Sequence, residues 1–170
     1  MDGFDFNSLS SKRRVMVVCS TWGEGEQPDN AEDLWQFSIS DSASRMEGVH
    51  FAVLALGDSS YEFFCQSGKE WDGQFEKLGA TRAIDRLDCD VDYDAPAAEW
   101  LMDALPTLAA VDSTGHFHED MVDSIKMYAS GDSLGAEGED GFSMPKIAIE
   151  AIQVEACLLY TSDAADDLRC

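Results

Sequence analysis

The chain has 170 residues, 45% of them hydrophobic, which suits one domain, or one domain plus extensions, with a core of ordinary density. Its 34 acids against 11 bases leave a net charge of −23, which argues against a nucleic-acid ligand because phosphates would be repelled, and favours a basic protein partner or simply high solubility. The cysteines (Cys19, Cys65, Cys89, Cys157 and Cys170) are odd in number with no CxxC pair, and neither a membrane-length apolar run nor an N-terminal signal core is present, so a reduced, cytoplasmic chain is expected.

In chain order, the Val-rich run at 15–19 suits a strand buried on both faces, as in a parallel sheet. A helix follows from about Pro28. Asp29, Glu32 and Asp33 suit its positive N-terminal dipole, and Ala31, Leu34, Trp35 and Ile39 give one buried face. The run FAVLAL at 51–56 is a second strand, ending in a loop that runs to Lys69. The next helix reaches about Leu78, with Trp71, Phe75 and Leu78 on one side and Gly79 as its stop. A weaker strand at 83–87 leads into the acidic segment DCDVDYD at 88–94. A helix over about 94–109 has Trp100, Leu101, Ala104, Leu105 and Leu108 as its stripe. Residues 118–129 have modest helical spacing. An acidic, glycine-rich linker follows, and Lys146–Ala156 alternates like a strand.

Strands alternating with helices predict a doubly wound parallel α/β sheet, in which ligands sit at the C-terminal ends of the strands. Three unusual loops, 20–27, 57–68 and 88–94, occupy such ends and are expected to converge on one rim. The first is both glycine-rich and acidic: a phosphate cradle wants its glycines but not Glu24 and Glu26. Trp22 and Tyr61 each follow a strand end. Two aromatics there suit a sandwich around a flat ring, with Gly23, Gly25, Gly57 and Gly68 letting backbone approach it. The same residues equally suit loop packing and turn punctuation.

The pairing of STWGEGEQP at 20–28 with LGDSSYEFFCQSGK at 56–69 resembles the flavodoxin-like flavin mononucleotide (FMN) domain of diflavin reductases, and within that family the flavoprotein component of NADPH-dependent sulfite reductase. The stretch YEFFCQSGK at 61–69 carries the narrower likeness, with support from 85–93 and from Glu99 and Trp100; the resemblance covers roughly residues 4–108. It implies an oxidoreductase of sulfur assimilation. NADPH reduces FAD in a C-terminal module, FAD reduces FMN, and FMN passes electrons to a haem and iron–sulfur subunit that reduces sulfite to sulfide. It also implies that Ser20, Thr21, Trp22 and Gly23 line one side of FMN. Leu56, Gly57, Asp58, Ser59, Ser60, Tyr61, Glu62, Phe63, Phe64 and Cys65 line the other, Tyr61 stacks on the ring, and Asp90 lies near the flavin edge.

The family's S-x-T-G phosphate loop does not occur in this sequence. The expectation is a chain that begins after the family's second strand, lacking the first two strands and first helix, with the run at 15–19 left as an uncovered, aggregation-prone edge. The expected divisions are a partial FMN domain over 1–110, an acidic linker with a short helix over 111–145, and the first strand of an FAD/NADPH module over 146–156. Residues 157–170 fit no element of the family and resemble translated sequencing-adapter read-through. Two alternatives stand beside this reading. One is the FMN domain of another diflavin reductase, of the cytochrome P450 reductase type; the other is an acidic interaction module that binds no flavin. No catalytic residue and no metal site is expected. His116 and His118 lack a third ligand, and the aspartates at 88–94 lack the Gly and Glu of a calcium loop.

Overall fold

The computed structural model describes residues 4–129. The second apolar run becomes β2 (His50–Leu56), whose central residues 51–55 are all buried. An unbroken series of apolar side chains allows helices to cover both faces without stranding a polar group. β1 (Arg14–Ser20) lies parallel to β2 along its full length, from Arg14 opposite His50 to Ser20 opposite Leu56. Along its other edge β2 receives two short parallel strands, β3 (Thr81–Arg82) beside His50 and Phe51, and β4 (Leu87–Cys89) beside Leu54 to Leu56. The sheet is open and parallel, as the alternation of elements predicts.

Four α-helices, α1 (Asp29–Ser38), α2 (Gln66–Leu78), α3 (Asp94–Ala109) and α4 (Val122–Ala129), and two short 3-10 helices, Phe6–Ser11 and Glu119–Met121, complete the described unit. Phe51 and Val53 pack with Trp71, Phe75 and Leu78 of α2, in a cluster that also takes in Val15, Val17 and Cys19. Ala52 and Leu54 point the opposite way, onto Ala97, Trp100, Ala104 and Leu108 of α3. The period of two along the strands thus sends alternate residues to two helical layers.

Several expectations shift. Burial on both faces holds for β2 but not for β1, where Val15, Val17 and Cys19 are buried while Met16 and Val18 are half-buried against the α3 layer. Among the described residues, β2 is the strand that pairs with β1. The strand expected at 83–87 is split into β3 and β4. Between them Asp85 turns its carbonyl to the indole N–H of Trp100 (2.9 Å), and Arg86 directs its guanidinium to Asp72 and Asp88. Helix α2 starts at Gln66, inside the segment read as loop, and stops at Gly79, whose φ of 97° is left-handed as a C-terminal stop requires. Ile39 and Leu105, placed on buried stripes, are exposed. Each sits about 100° round its helix from its buried neighbour, Ser38 or Ala104.

Residues 111–129 pack against this unit. Val111 is buried and bridges to Phe117, and Lys126 of α4 pairs with Asp103 of α3 at 2.6 Å. The expectations for the glycine-rich linker from 130 onward, for the strand Lys146–Ala156 and for the tail lie outside the described residues.

Candidate functional site

The first loop folds on itself. Thr21 continues the ladder by one residue, donating its N–H to Leu56 O (3.2 Å). Trp22 N–H then donates to Glu26 O (3.0 Å), and the N–H groups of Gly25 and Glu26 both return to Trp22 O (2.9 Å). Such a turn needs left-handed backbone, supplied by Gly23 (φ 48°) and Gly25 (φ 106°). The acids serve the turn as well, since Glu26 Oε2 accepts from the N–H of Glu24 at 2.7 Å. Trp22 stands outward, 49% exposed. Beside it, an open depression is lined by Trp22, Gly23, Glu24, Glu26, Gln27, Asp29 and Glu32.

The second loop leaves β2 at Gly57, whose N–H donates to Cys89 O (3.0 Å). Asp58 accepts from the N–H and hydroxyl of Ser60 (2.8 and 2.5 Å), and Tyr61 N–H donates back to Asp58 O (3.1 Å). This tight turn pushes Tyr61 outward to 65% exposure, with Glu62 and Phe63 exposed beside it. Phe64 is half-buried beneath the Lys69 ammonium, which also donates to Phe64 O (2.5 Å). Cys65 points into the core. Its Sγ lies 3.5 Å from the carbonyls of Ala55 and Cys89, and burial above all pushes its thiol up to about 12. The packing role is therefore the one the geometry supports for this cysteine.

The third loop contributes Asp90. Its carboxylate accepts from Ser59 N–H (3.0 Å), from Ser59 Oγ and from Val91 N–H (2.8 Å). The Ser59 hydroxyl first, then those two amides, hold it below the usual carboxylate range. All three loops are thus tied at one rim. Loop 57–65 reaches loop 88–94 through Ser59 and Asp90, while loop 20–27 reaches the start of α2 through Thr21 Oγ1, which accepts from Ser67 N–H (3.2 Å).

The sequence leaves two uses open for the glycines, and three of them pack closely against other parts of the fold. A Cβ at Gly57 would lie 2.8 Å from Cys65 N, one at Gly25 would lie 3.1 Å from Phe63 Cβ, and one at Gly68 would collide with Ala55. The sequence reading missed a buried polar cluster under the rim. Gln27 Oε1 accepts from Ser67 Oγ (2.6 Å) and from Trp71 Nε1 (2.8 Å), and Gln27 Nε2 donates to Glu70 Oε2 (2.9 Å). The only available hint was that Ser67, Glu70 and Trp71 share one face of α2 at i, i+3, i+4 spacing.

The rim loops carry Glu24, Glu26, Asp58, Glu62, Asp88, Asp90, Asp92 and Asp94 and no Lys or Arg. Carboxylates without a nearby Lys or Arg do not suit a flavin's phosphate, whereas the exposed aromatic faces of Trp22 and Tyr61 suit its ring. Among the described residues no group of three or more His, Cys, Asp or Glu is placed to hold a metal ion, and no helix is long and apolar enough to cross a membrane. His118 Nε2 donates to Asp112 Oδ2 (2.9 Å), with the His116 ring edge-on to it.

An open parallel α/β sheet with helices on both faces and exposed aromatics on its strand-end loops is of the flavodoxin-like class. Residues 1–101 match the flavodoxin family, and the chain belongs to it. The cofactor of that family is FMN, and the aromatic rim is the part of the described chain that fits it. Among curated proteins the chain is similar to the "Sulfite reductase [NADPH] flavoprotein alpha-component" of Bacillus subtilis, 52% identical over 108 residues, or 64% of this chain and 18% of that protein. The proteins of the same name from Photobacterium profundum and Escherichia coli are 50% and 48% identical over 108 and 111 residues. The chain spans 18% of the length of these relatives. Among solved structures, a mutant flavodoxin from Pseudomonas aeruginosa aligns with a TM-score of 0.52 at 32% identity, covering 58% of this chain and 68% of that one. Oxidised flavodoxin 2 from Bacillus cereus aligns at a TM-score of 0.50 and 22% identity, over 76% of this chain and 71% of that one, and supports the fold alone.

Proposed function

We propose that this chain is the FMN-binding, electron-relaying part of an NADPH-dependent sulfite reductase flavoprotein. Electrons arrive from FAD, which is bound with NADPH in a reductase module of the full-length protein. They leave to a haem and iron–sulfur subunit that reduces sulfite to sulfide. The observation that carries the reading is the rim itself: loop 57–65 is bonded to loop 88–94, loop 20–27 is bonded to the start of α2, and Tyr61 and Trp22 stand exposed on the first and last of these loops. The identity of about half over the matched residues to named sulfite reductase flavoproteins supports the narrower assignment.

FMN supplies the ability to take up and release electrons singly or in pairs. The chain's contribution is to hold the ring between aromatic faces, with Ser20, Thr21, Trp22 and Gly23 on one side and the stretch 56–64 on the other, backed by the buried Cys65. The surrounding carboxylates oppose any gain of negative charge at the ring. Asp90 fixes the edge of the second loop through Ser59. The experiment is a fluorescence titration with FMN and with riboflavin, which shares the ring but has no phosphate. Affinities within about threefold of each other, in the micromolar range, are expected if the ring supplies most of the contact. Absence of binding by both overturns the reading for this chain. Transfer from the chemically reduced, loaded chain to a sulfite reductase haem subunit, compared with transfer to a cytochrome P450, then tests the acceptor.

A further inference from the structure

We infer that Gln27 is a positioning residue for the flavin ring, a strut that sets the distance between the Trp22 turn and the loop that carries Tyr61. The inference rests on the flavin reading of the rim. Gln27 is 4% exposed and lies immediately after the Trp22–Glu26 turn. Its carboxamide meets three side chains of α2, the helix that continues directly from the Tyr61 loop. The chemistry of those partners leaves one solution. An indole N–H only donates, so the atom facing Trp71 must be an acceptor. A carboxylate only accepts, so the atom facing Glu70 must be a donor. One planar group carrying an acceptor and a donor meets both demands, and the hydroxyl of Ser67 fills the second lone pair of Oε1. Gln66 Nε2 holds the other oxygen of Glu70 at 3.0 Å, so the far end of the strut is itself fixed.

Gln27 makes no outward contact that would touch a ring. It acts through Trp22, by holding the end of that turn against the first turns of α2. Thr21 Oγ1, accepting from Ser67 N–H, adds a further side-chain hydrogen bond between loop 20–27 and α2. Hydrogen bonds of this kind are lost at full cost when one partner is removed from a buried site, so the spacing of the two loops is sensitive to this one carboxamide.

The test is a charge swap in the whole chain at about pH 8, where carboxylates are ionised. Gln27→Glu keeps an acceptor for Trp71 and Ser67 but faces Glu70 with a like charge. Adding Glu70→Gln returns a donor to that contact with the polarity reversed. Riboflavin is the probe, because its binding reports the ring side alone. Gln27→Glu is expected to weaken riboflavin about tenfold or more, and the double variant to recover to within about threefold of the parent. Hydrogen exchange at the Trp22 and Glu26 amides, read by NMR without flavin, is expected to quicken about tenfold in Gln27→Glu and to return in the double variant. Unchanged exchange and unchanged affinity in Gln27→Glu overturn the strut, as does a double variant no better than the single one. A parent chain that takes up no riboflavin counts against the flavin reading instead. The exchange data then decide whether Gln27 holds the turn.

Discussion

Tyr61 sits on a turn closed by three hydrogen bonds. Asp58 closes the turn on Ser60 and Tyr61, and the phenol ring is left 65% exposed. A ring held outward by backbone geometry loses little stability when truncated, so any effect of its removal belongs to the ligand. Tyr61→Ala is expected to change unfolding free energy by less than about 0.5 kcal/mol, as is usual for an exposed site. The same variant should weaken flavin binding by about 0.5–1.5 kcal/mol, the worth of one stacking contact. Tyr61→Phe should keep the affinity. A titration of the three proteins with riboflavin, beside urea melts, separates these outcomes. Equal affinity in all three would remove the ring from the site. Cys65, only four residues on, is the opposite case. It has the only left-handed backbone among described non-glycine residues (φ 56°), and its side chain is fully buried. The loop turns into α2 at this point, and the buried thiol fills the space under Gly57, which has no room for a Cβ of its own.

At the scale of elements, an ion-pair network joins α2 to the split edge strand. Asp72 accepts two hydrogen bonds from Arg82 (2.8 Å each) and one from Arg86 (3.0 Å), while Arg86 also reaches Asp88 at 2.6 Å. Asp72 is nearly buried, but the arginines keep partial access to water, which limits the cost of losing it. Asp72→Asn is expected to lower stability by about 1–3 kcal/mol, read as a lower urea midpoint with an unchanged slope. No shift in midpoint would show that solvent replaces the network. The turn at 112–118 gives the pH counterpart. Asp112 accepts from Thr114, His116 and His118, and its carboxyl is held well below its ordinary 3.8, chiefly by the Thr114 hydroxyl. A depressed folded value contributes stability that is fully present above 3.8 and is lost as pH falls through the folded value. Asp112→Asn should therefore be less stable than the parent at pH 7 and should flatten the acid limb below 3.8. Parallel acid limbs would sink that account. Neither network was legible in the sequence. The apolar runs announced β1 and β2, and Gly79 announced the end of α2, because these are local signals. Arg82, Arg86, Asp72 and Gln27 are set by tertiary contacts, and a helix face exposes Leu105 or buries Ala104 only according to where the sheet lies. The rim loops were legible because their residue types are unusual for strand ends; what their glycines do was not, since closeness to Phe63, Cys65 and Ala55 appears only in three dimensions.

For the molecule as a whole the net charge is −23, and within the described residues the acids stand on both the helices and the rim. Several of the described cations are committed to particular acids. Arg45 pairs with Glu47, Arg82 with Asp72, Arg86 with Asp72 and with Asp88 of the rim, and Lys126 with Asp103, while the rim loops themselves contain no Lys or Arg. Self-repulsion at neutral pH therefore opposes the compact state, and it acts over a range set by salt. Raising ionic strength from about 0.01 M to about 0.15 M shortens that range from about 30 Å to about 8 Å, less than the span of a domain. The melting temperature at pH 7 is expected to rise over this interval, although the same salt weakens exposed pairs such as Arg45–Glu47. The two effects have opposite signs, and the excess of unpaired acids decides between them. Flavin affinity provides the second arm. Riboflavin carries no charge and should bind with little salt dependence, whereas FMN brings a phosphate to an acidic rim and should bind more tightly as salt rises. A melting temperature that falls with salt would mean that ion pairs, not net repulsion, govern the electrostatics of this fold. An FMN affinity that falls with salt would mean that a cation outside the rim loops receives the phosphate.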